Sequence, residues 1–207
     1  MIKLISLLCF SLLATAVGAQ DIAPDVLIKK ITNEVIGIVK QDKDIKAGDR
    51  TKINALVDAK VLPHFNFDRM TALAVGRNWR KADAEQKKVL ISEFRTLLVN
   101  TYSGALASYK NEVIEFMPLH AAPGATDVTV RTQVERPGSE PIGIDYSMEK
   151  TPDGWTVYDV AAAGVSLVTN YRDTFNTEIN QNGVDGLIKV LERKNRSLQP
   201  QAGDKSK

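Results

Sequence analysis

The chain has 207 residues, 43% of them hydrophobic and 25% charged, with a formal net charge of +2. That composition excludes a disordered or fibrous chain and supplies apolar material for a sizeable core. One cysteine excludes a disulfide framework and a cysteine metal cluster.

Residues 1–19 have the form of a secretory leader. Lys3 is a short positive start, Leu4 to Ala16 is apolar apart from Ser and Thr, and Val17-Gly18-Ala19 offers small residues for cleavage. Cys9 follows Leu7-Leu8 rather than a small residue, which argues against a lipoprotein anchor. The mature chain is expected to begin near Gln20, without cysteine, so packing rather than disulfides must hold it. Lys3 is the only charge lost with the leader, leaving positive and negative side chains almost balanced. No basic stripe points to nucleic acid. Beyond Ala19 the longest uncharged apolar stretch, Val160 to Val168, is about half a membrane span. An exported, soluble product is expected.

The first half of the mature chain has helical periodicity. Pro24 suits a first helical position, and Ile28, Ile31, Val35 and Val39 recur at helix spacing. Lys40 to Gly48 is a polar connection. Asp49 is placed to cap a second helix bearing Ile53, Leu56, Val57 and Val61, stopped by Pro63. Asn66 is placed to cap a short third helix that Gly76 closes. Asp83 opens the longest helix, whose stripe runs through Leu90, Phe94, Leu97, Leu98, Tyr102, Ala105 and Tyr109, with Gly104 midway.

At Glu112 the period changes. Val113 to Leu119, the alternating runs around Val128–Val134 and Ile142–Met148, and Trp155 to Ala163 read as four strands joined by short Pro/Gly links. Helix period returns at Val165 with Val168, Tyr171, Phe175 and Ile179, and again at Val184, Leu187, Ile188 and Leu191. Residues 200–207 read as a disordered tail, and residues 20–199 as one compact unit. The fold class is α+β: a curved, four-stranded antiparallel sheet with helices over one face.

Enzyme signatures are absent. Gly164-Val165-Ser166-Leu167-Val168 lacks the second glycine of a nucleophile elbow, and Ser166 reads as a helix N-terminal residue. His64 and His120 have no partner at metal-binding spacing. Asp42-Lys43-Asp44 begins like a calcium loop, but Lys46 and Ala47 break the pattern. Asp145 and Asp159, beside Tyr146 and Tyr158, would suit proton transfer in a cavity, yet alternation turns Asp145 away from the face of Tyr146.

The segment Val61 to Arg80, Val-Leu-Pro-His-Phe-Asn-Phe-Asp-Arg-Met-Thr-Ala-Leu-Ala-Val-Gly-Arg-Asn-Trp-Arg, resembles the signature of the MlaC family, also called toluene-tolerance periplasmic proteins. Ala84-Glu85-Gln86, the Phe94, Leu98 and Tyr102 helix, and Gly164 to Arg172 with Phe175 extend the likeness over nearly the whole mature chain. Asn66 departs from the Asp expected between the phenylalanines, but either residue caps a helix. The resemblance implies an NTF2-like fold with an apolar cavity between sheet and helices. It also implies a non-enzymatic periplasmic phospholipid carrier that needs no cofactor. Such a carrier moves lipid between an outer-membrane lipoprotein complex and an inner-membrane ABC transporter, and so maintains outer-membrane lipid asymmetry.

Burial of a methylene is worth about 0.8 kcal/mol, so a sixteen-carbon tail represents roughly 12 kcal/mol. A carrier must therefore enclose both tails, while the headgroup can stay in water. The candidate walls are Phe67, Met70, Leu73 and Val75 on the third helix, and Phe94, Leu98, Tyr102 and Leu106 on the long helix. Val130, Ile144, Tyr146 and Met148 supply the strand face, and Val165, Leu167, Val168 and Tyr171 the later helix. For each, ordinary core packing is the alternative. Arg77, Arg80 and Lys81 are candidates for headgroup or partner contact. Two other readings remain open at this point: an NTF2-like enzyme on a small apolar substrate, and an interaction adaptor with a filled core. A monomer is expected.

Overall fold

The protein is described by a computed structural model over residues 22–199. The expected leader (1–19) and tail (200–207) lie outside the described residues.

The helical half starts with α1 (Pro24–Gln41), which buries Leu27, Ile28, Val35 and Val39. The polar connection after it holds a four-residue helix, α2 (Lys43–Lys46). Asp42 Oδ1 caps it, accepting the N–H groups of Asp44 (2.9 Å) and Ile45 (3.1 Å). The supposed start of a calcium loop is thus a helix cap. α3 (Arg50–Lys60) is capped by Asp49 and followed by a 3₁₀ turn at Leu62–His64. α4 (Phe67–Val75) is capped by Asn66, which accepts the Arg69 N–H, and closes at Gly76 with φ 63°, a conformation that favours glycine. α5 (Ala84–Tyr102) opens with a reciprocal capping box between Asp83 and Gln86.

Contrary to the sequence expectation, α5 stops at Tyr102, and Ser103–Leu106 tightens into a 3₁₀ turn. Gly104 therefore lies past the helix end, where a poor helix former is tolerated. A Cβ there would meet nothing within 4 Å, so close packing does not explain it.

The sheet has five strands, not four: β1 (Val113–Phe116), β2 (Asp127–Glu135), β3 (Ile142–Thr151), β4 (Gly154–Ala162) and β5 (Val165–Ser166). They pair antiparallel in the order 1-2-3-4-5. The missed strand follows a two-residue hairpin in which Ala163 (φ 50°) and Gly164 (φ 78°) are both left-handed, as a primed turn requires. Val165 is thus a strand residue, 56% exposed, rather than the start of a helix. Ser166 donates to Asp159 Oδ2 (2.6 Å) and accepts the Thr169 N–H (2.9 Å), which starts the 3₁₀ turn at Thr169–Tyr171. The long α6 (Arg172–Leu198) is interrupted at Gly183 (φ 72°, ψ −177°), where the sequence period restarts.

A register shift between β3 and β4 sets Tyr146 opposite Val160 and Met148 opposite Val157. Two inward residues thus stand three apart in β4, as a bulge permits. Val128, Val130, Met148 and Val157 pack against Leu27 and Ile28 of α1. A second cluster, among α4, α5 and α6, centres on Leu90, Phe94, Phe175 and Leu187. A third joins α1, α2 and α3 through Val39, Ile45 and Ile53. Phe65 touches the first two clusters, and Ile31 the first and third.

Candidate functional site

The three clusters do not close on one another. At their junction lies a cavity of about 220 Å³, walled by Val57 of α3, Phe65, Phe67 and Met70 around the start of α4, Leu98 and Tyr102 of α5, and Leu106. Val160 of β4 and Leu167 close the sheet side. Its helical walls are fixed by local chemistry: the Asn66 cap sets the start of α4, and the end of α5 sets the turn that carries Leu106. Ser103 is buried there, but its hydroxyl is spent on Asn54 Oδ1 at 2.8 Å. Tyr102 is the one titratable side chain in the lining.

A second cavity of about 360 Å³ lies between α1 and the sheet, lined by Val35, Ile36, Ile114, Val134, Ile142, Ile144 and Tyr146. Leu106 borders both cavities. Its polar members include Ser108, Glu112 and Arg136, which also line an open depression of about 640 Å³ at the end of the sheet. Burial pushes the Tyr146 phenol up, so Tyr146 stays neutral.

Protein interiors normally pack without such voids. The apolar walls of this open cleft offer water few partners. An apolar occupant would release that water and gain the burial of the walls.

Of the sequence candidates, Phe67, Met70, Leu98, Tyr102, Leu106 and Leu167 line the first cavity, and Ile144 and Tyr146 line the second together with Leu106. Val75, Phe94 and Val168 instead sit fully buried in the helical cluster, with Leu73 and Tyr171 packed against it. Phe94 meets the rings of Tyr171 and Phe175 edge-on, each at 5.2 Å. Burial, with Tyr102 as neighbour, pushes the Tyr171 phenol up to about 12. Val130 and Met148 belong to the cluster against α1. These residues have the right polarity, but their phase aims them at neighbouring elements. Arg77, Arg80 and Lys81 are exposed on a 3₁₀ turn (Gly76–Lys81) and line neither cavity. Arg77 instead borders a polar groove with Arg172, Asp173 and Asn176.

Sequence reasoning missed Val57, Val61, Leu62 and Phe65, read as helix face or motif, and the whole α1 wall of the second cavity. The periodicity of α1 was legible, but its stripe serves both core and cavity. It also missed Glu112 and Arg136, whose only signal was a change of period.

Neither cavity is equipped for acid–base chemistry by Asp145 or Asp159. Asp145 lies 4.0 Å from Arg131 at the surface, and Asp159 is occupied by Ser166 and the Val168 N–H. His64 lines neither cavity, and burial with nearby Lys30 lowers its pKa. Among the described residues no three His, Cys, Asp or Glu side chains converge as a metal site, and no helix is long and apolar enough to cross a membrane.

The family model described as MlaC protein matches residues 29–193. The intermembrane phospholipid transport system binding protein MlaC of Haemophilus influenzae is 22% identical over 87% of this chain and 86% of its own length. Toluene tolerance protein ttg2D of Pseudomonas putida is 27% identical over 88% of this chain and 83% of its own length. Among solved structures, a phospholipid-binding protein of Ralstonia solanacearum, in complex with a phospholipid, superposes with a TM-score of 0.79 at 38% identity, covering 84% of this chain and 97% of the other. The α+β architecture, an unclosed antiparallel sheet with helices, fits the NTF2-like fold expected of that family. By the extent of the family match, the chain belongs to the MlaC family.

Proposed function

We propose that this protein is a phospholipid carrier whose two apolar cavities take the acyl tails while the headgroup stays at the surface. The observation that carries this reading is the pair of apolar cavities meeting at Leu106. A structural neighbour at 38% identity that binds phospholipid, and a curated relative named for phospholipid transport, support it. Phe67, Met70, Leu98, Tyr102, Leu106, Leu167, Ile144 and Tyr146 are the proposed tail contacts. Together the enclosed tails gain roughly 0.8 kcal/mol per methylene and so supply most of the binding. The protein is not an enzyme in this reading and uses no cofactor.

The carrier works in the periplasm as a monomer, with residues 20–199 as one lipid-binding domain. It shuttles phospholipid between an outer-membrane lipoprotein complex and an inner-membrane ABC transporter, which maintains outer-membrane asymmetry. Arg77, Arg80 and Lys81, exposed and absent from both cavity linings, suit contact with such partners. The test is lipid extraction and mass spectrometry of protein purified from a native periplasm. Diacyl phospholipid near one molecule per chain is expected; empty protein that takes up nothing from vesicles would sink the proposal.

A further inference from the structure

The second cavity opens at a charged end whose pattern a hydrocarbon tail does not need. Glu112, just before β1, is only 11% exposed in its side chain, yet it stands in the lining of an otherwise largely apolar cavity. Its Oε2 accepts the Lys110 N–H at 2.7 Å, and Tyr109 donates its hydroxyl to the Glu112 carbonyl at 2.9 Å. The first bond holds the carboxylate, and the second holds the backbone that carries it. A neutral Gln would also accept the Lys110 N–H, so that contact alone does not require a charge.

Arg136, beyond β2, approaches the same carboxylate only through Nε, at 3.6 Å. That is longer than a hydrogen bond. Among the described residues its terminal amino groups make no ion pair or hydrogen bond, and its side chain is 49% exposed. Lys110, Asn111 and Ser139 complete the depression around these two groups. A fixed anion therefore stands beside two cations and hydrogen-bonding groups at the exit of an apolar cavity. Backbone hydrogen bonds, first that from Lys110, and then the nearby Arg136 and Lys110 charges hold the Glu112 carboxyl below its usual range.

Building on the reading that phospholipid tails occupy the cavities, we propose that this depression seats a zwitterionic glycerophospholipid headgroup. Its phosphate lies against Arg136 and Lys110, and its ammonium against Glu112. Arg guanidinium groups match phosphate oxygens well. The carboxylate adds what an anionic headgroup lacks a partner for, a site for a primary or quaternary ammonium. Exposed pairs of this kind are weak and screened by salt, so selection is modest, about threefold.

The test uses delipidated full-length mature protein equilibrated with vesicles of equal phosphatidylethanolamine and phosphatidylglycerol. The lipid bound is then extracted and quantified by mass spectrometry. Wild-type protein is expected to enrich phosphatidylethanolamine about threefold over the vesicle ratio. Glu112→Gln, which keeps an oxygen for the Lys110 N–H, is expected to bring the ratio to near equality. Arg136→Gln is expected to reduce loading of both lipids, and the surface control Lys189→Gln to match wild type. If Glu112→Gln melts early, wild-type protein at raised salt replaces it, and enrichment is expected to fall as the pairing is screened. A wild-type ratio equal to the vesicle ratio, an excess of phosphatidylglycerol, or enrichment untouched by both Glu112→Gln and salt overturns the headgroup site. No loading of either lipid overturns the carrier reading instead.

Discussion

Leu106 is the position at which the carrier reading is most exposed to test, because it borders both cavities. Leu106→Trp replaces four side-chain carbons with a ten-atom side chain, a methylene plus indole, and the extra bulk enters space meant for tails. Displacing about four methylenes at about 0.8 kcal/mol each costs roughly 3 kcal/mol of binding. That corresponds to a dissociation constant weaker by roughly a hundredfold. Stability should move little or rise, since the added ring covers apolar wall that otherwise faces solvent. The assay is uptake of a fluorescent phospholipid from vesicles, with thermal melting followed by circular dichroism as the check on folding. Leu106→Ala opens the shared wall and should leave uptake within a few-fold of wild type. If Leu106→Trp folds normally and binds lipid as tightly as wild type, tails do not pass beside Leu106.

Three other outcomes follow from the packing. Phe94→Ala removes a fully buried ring flanked by Tyr171 and Phe175, and urea unfolding should show a loss of about 3–5 kcal/mol. A loss under about 1 kcal/mol contradicts the described helical core. Arg69 joins α4 to the sheet through Glu149 (2.6 Å) and Asp127 (3.1 Å) and stacks on Tyr158 at 3.4 Å. Arg69→Ala should cost about 1 kcal/mol, part of it screened by salt; an equal effect at all salt concentrations rules out the ionic part. The Tyr171 phenol is raised to about 12, so the fold favours its neutral form. Its contribution to stability is complete below pH 10, the unfolded value, and is lost as pH rises toward 12. Phenolate absorbance should therefore show a late phase near pH 12 that Tyr171→Phe removes; an unchanged titration in the variant contradicts the assignment.

Much of the fold was legible because caps and periods agree. Asp49, Asn66 and Asp83 are helix caps as their sequence contexts predict, and Gly76 closes α4. What escaped depended on backbone conformation rather than polarity. The run Ala161-Ala162-Ala163-Gly164 gives no hydrophobic phase, so the hairpin into β5, which needs a left-handed Ala163, was hidden. The bulge that sets Val157 and Val160 on one face likewise breaks the alternation on which strand phase rests.

The cavity walls were half legible for a different reason. Phe94 and Leu98 share a helical stripe and one buried cluster, yet Phe94 is flanked by aromatic rings while Leu98 also borders the cavity. Composition and spacing report that a face is buried, not whether its neighbour arrives. The fit of a third element decides that, as α3 and the 3₁₀ turn at Ser103–Leu106 do in this fold.

The central claim is that acyl chains occupy the space between the three clusters. A phospholipid bearing a diazirine near the end of one acyl chain, loaded into the protein, photolysed and mapped by peptide mass spectrometry, tests it most directly. The account predicts adducts on the cavity linings, at Phe67, Leu98, Tyr102 and Leu106 or at Ile144 and Tyr146. Adducts confined to exposed positions such as Arg77, Arg80 and Lys81 would contradict it.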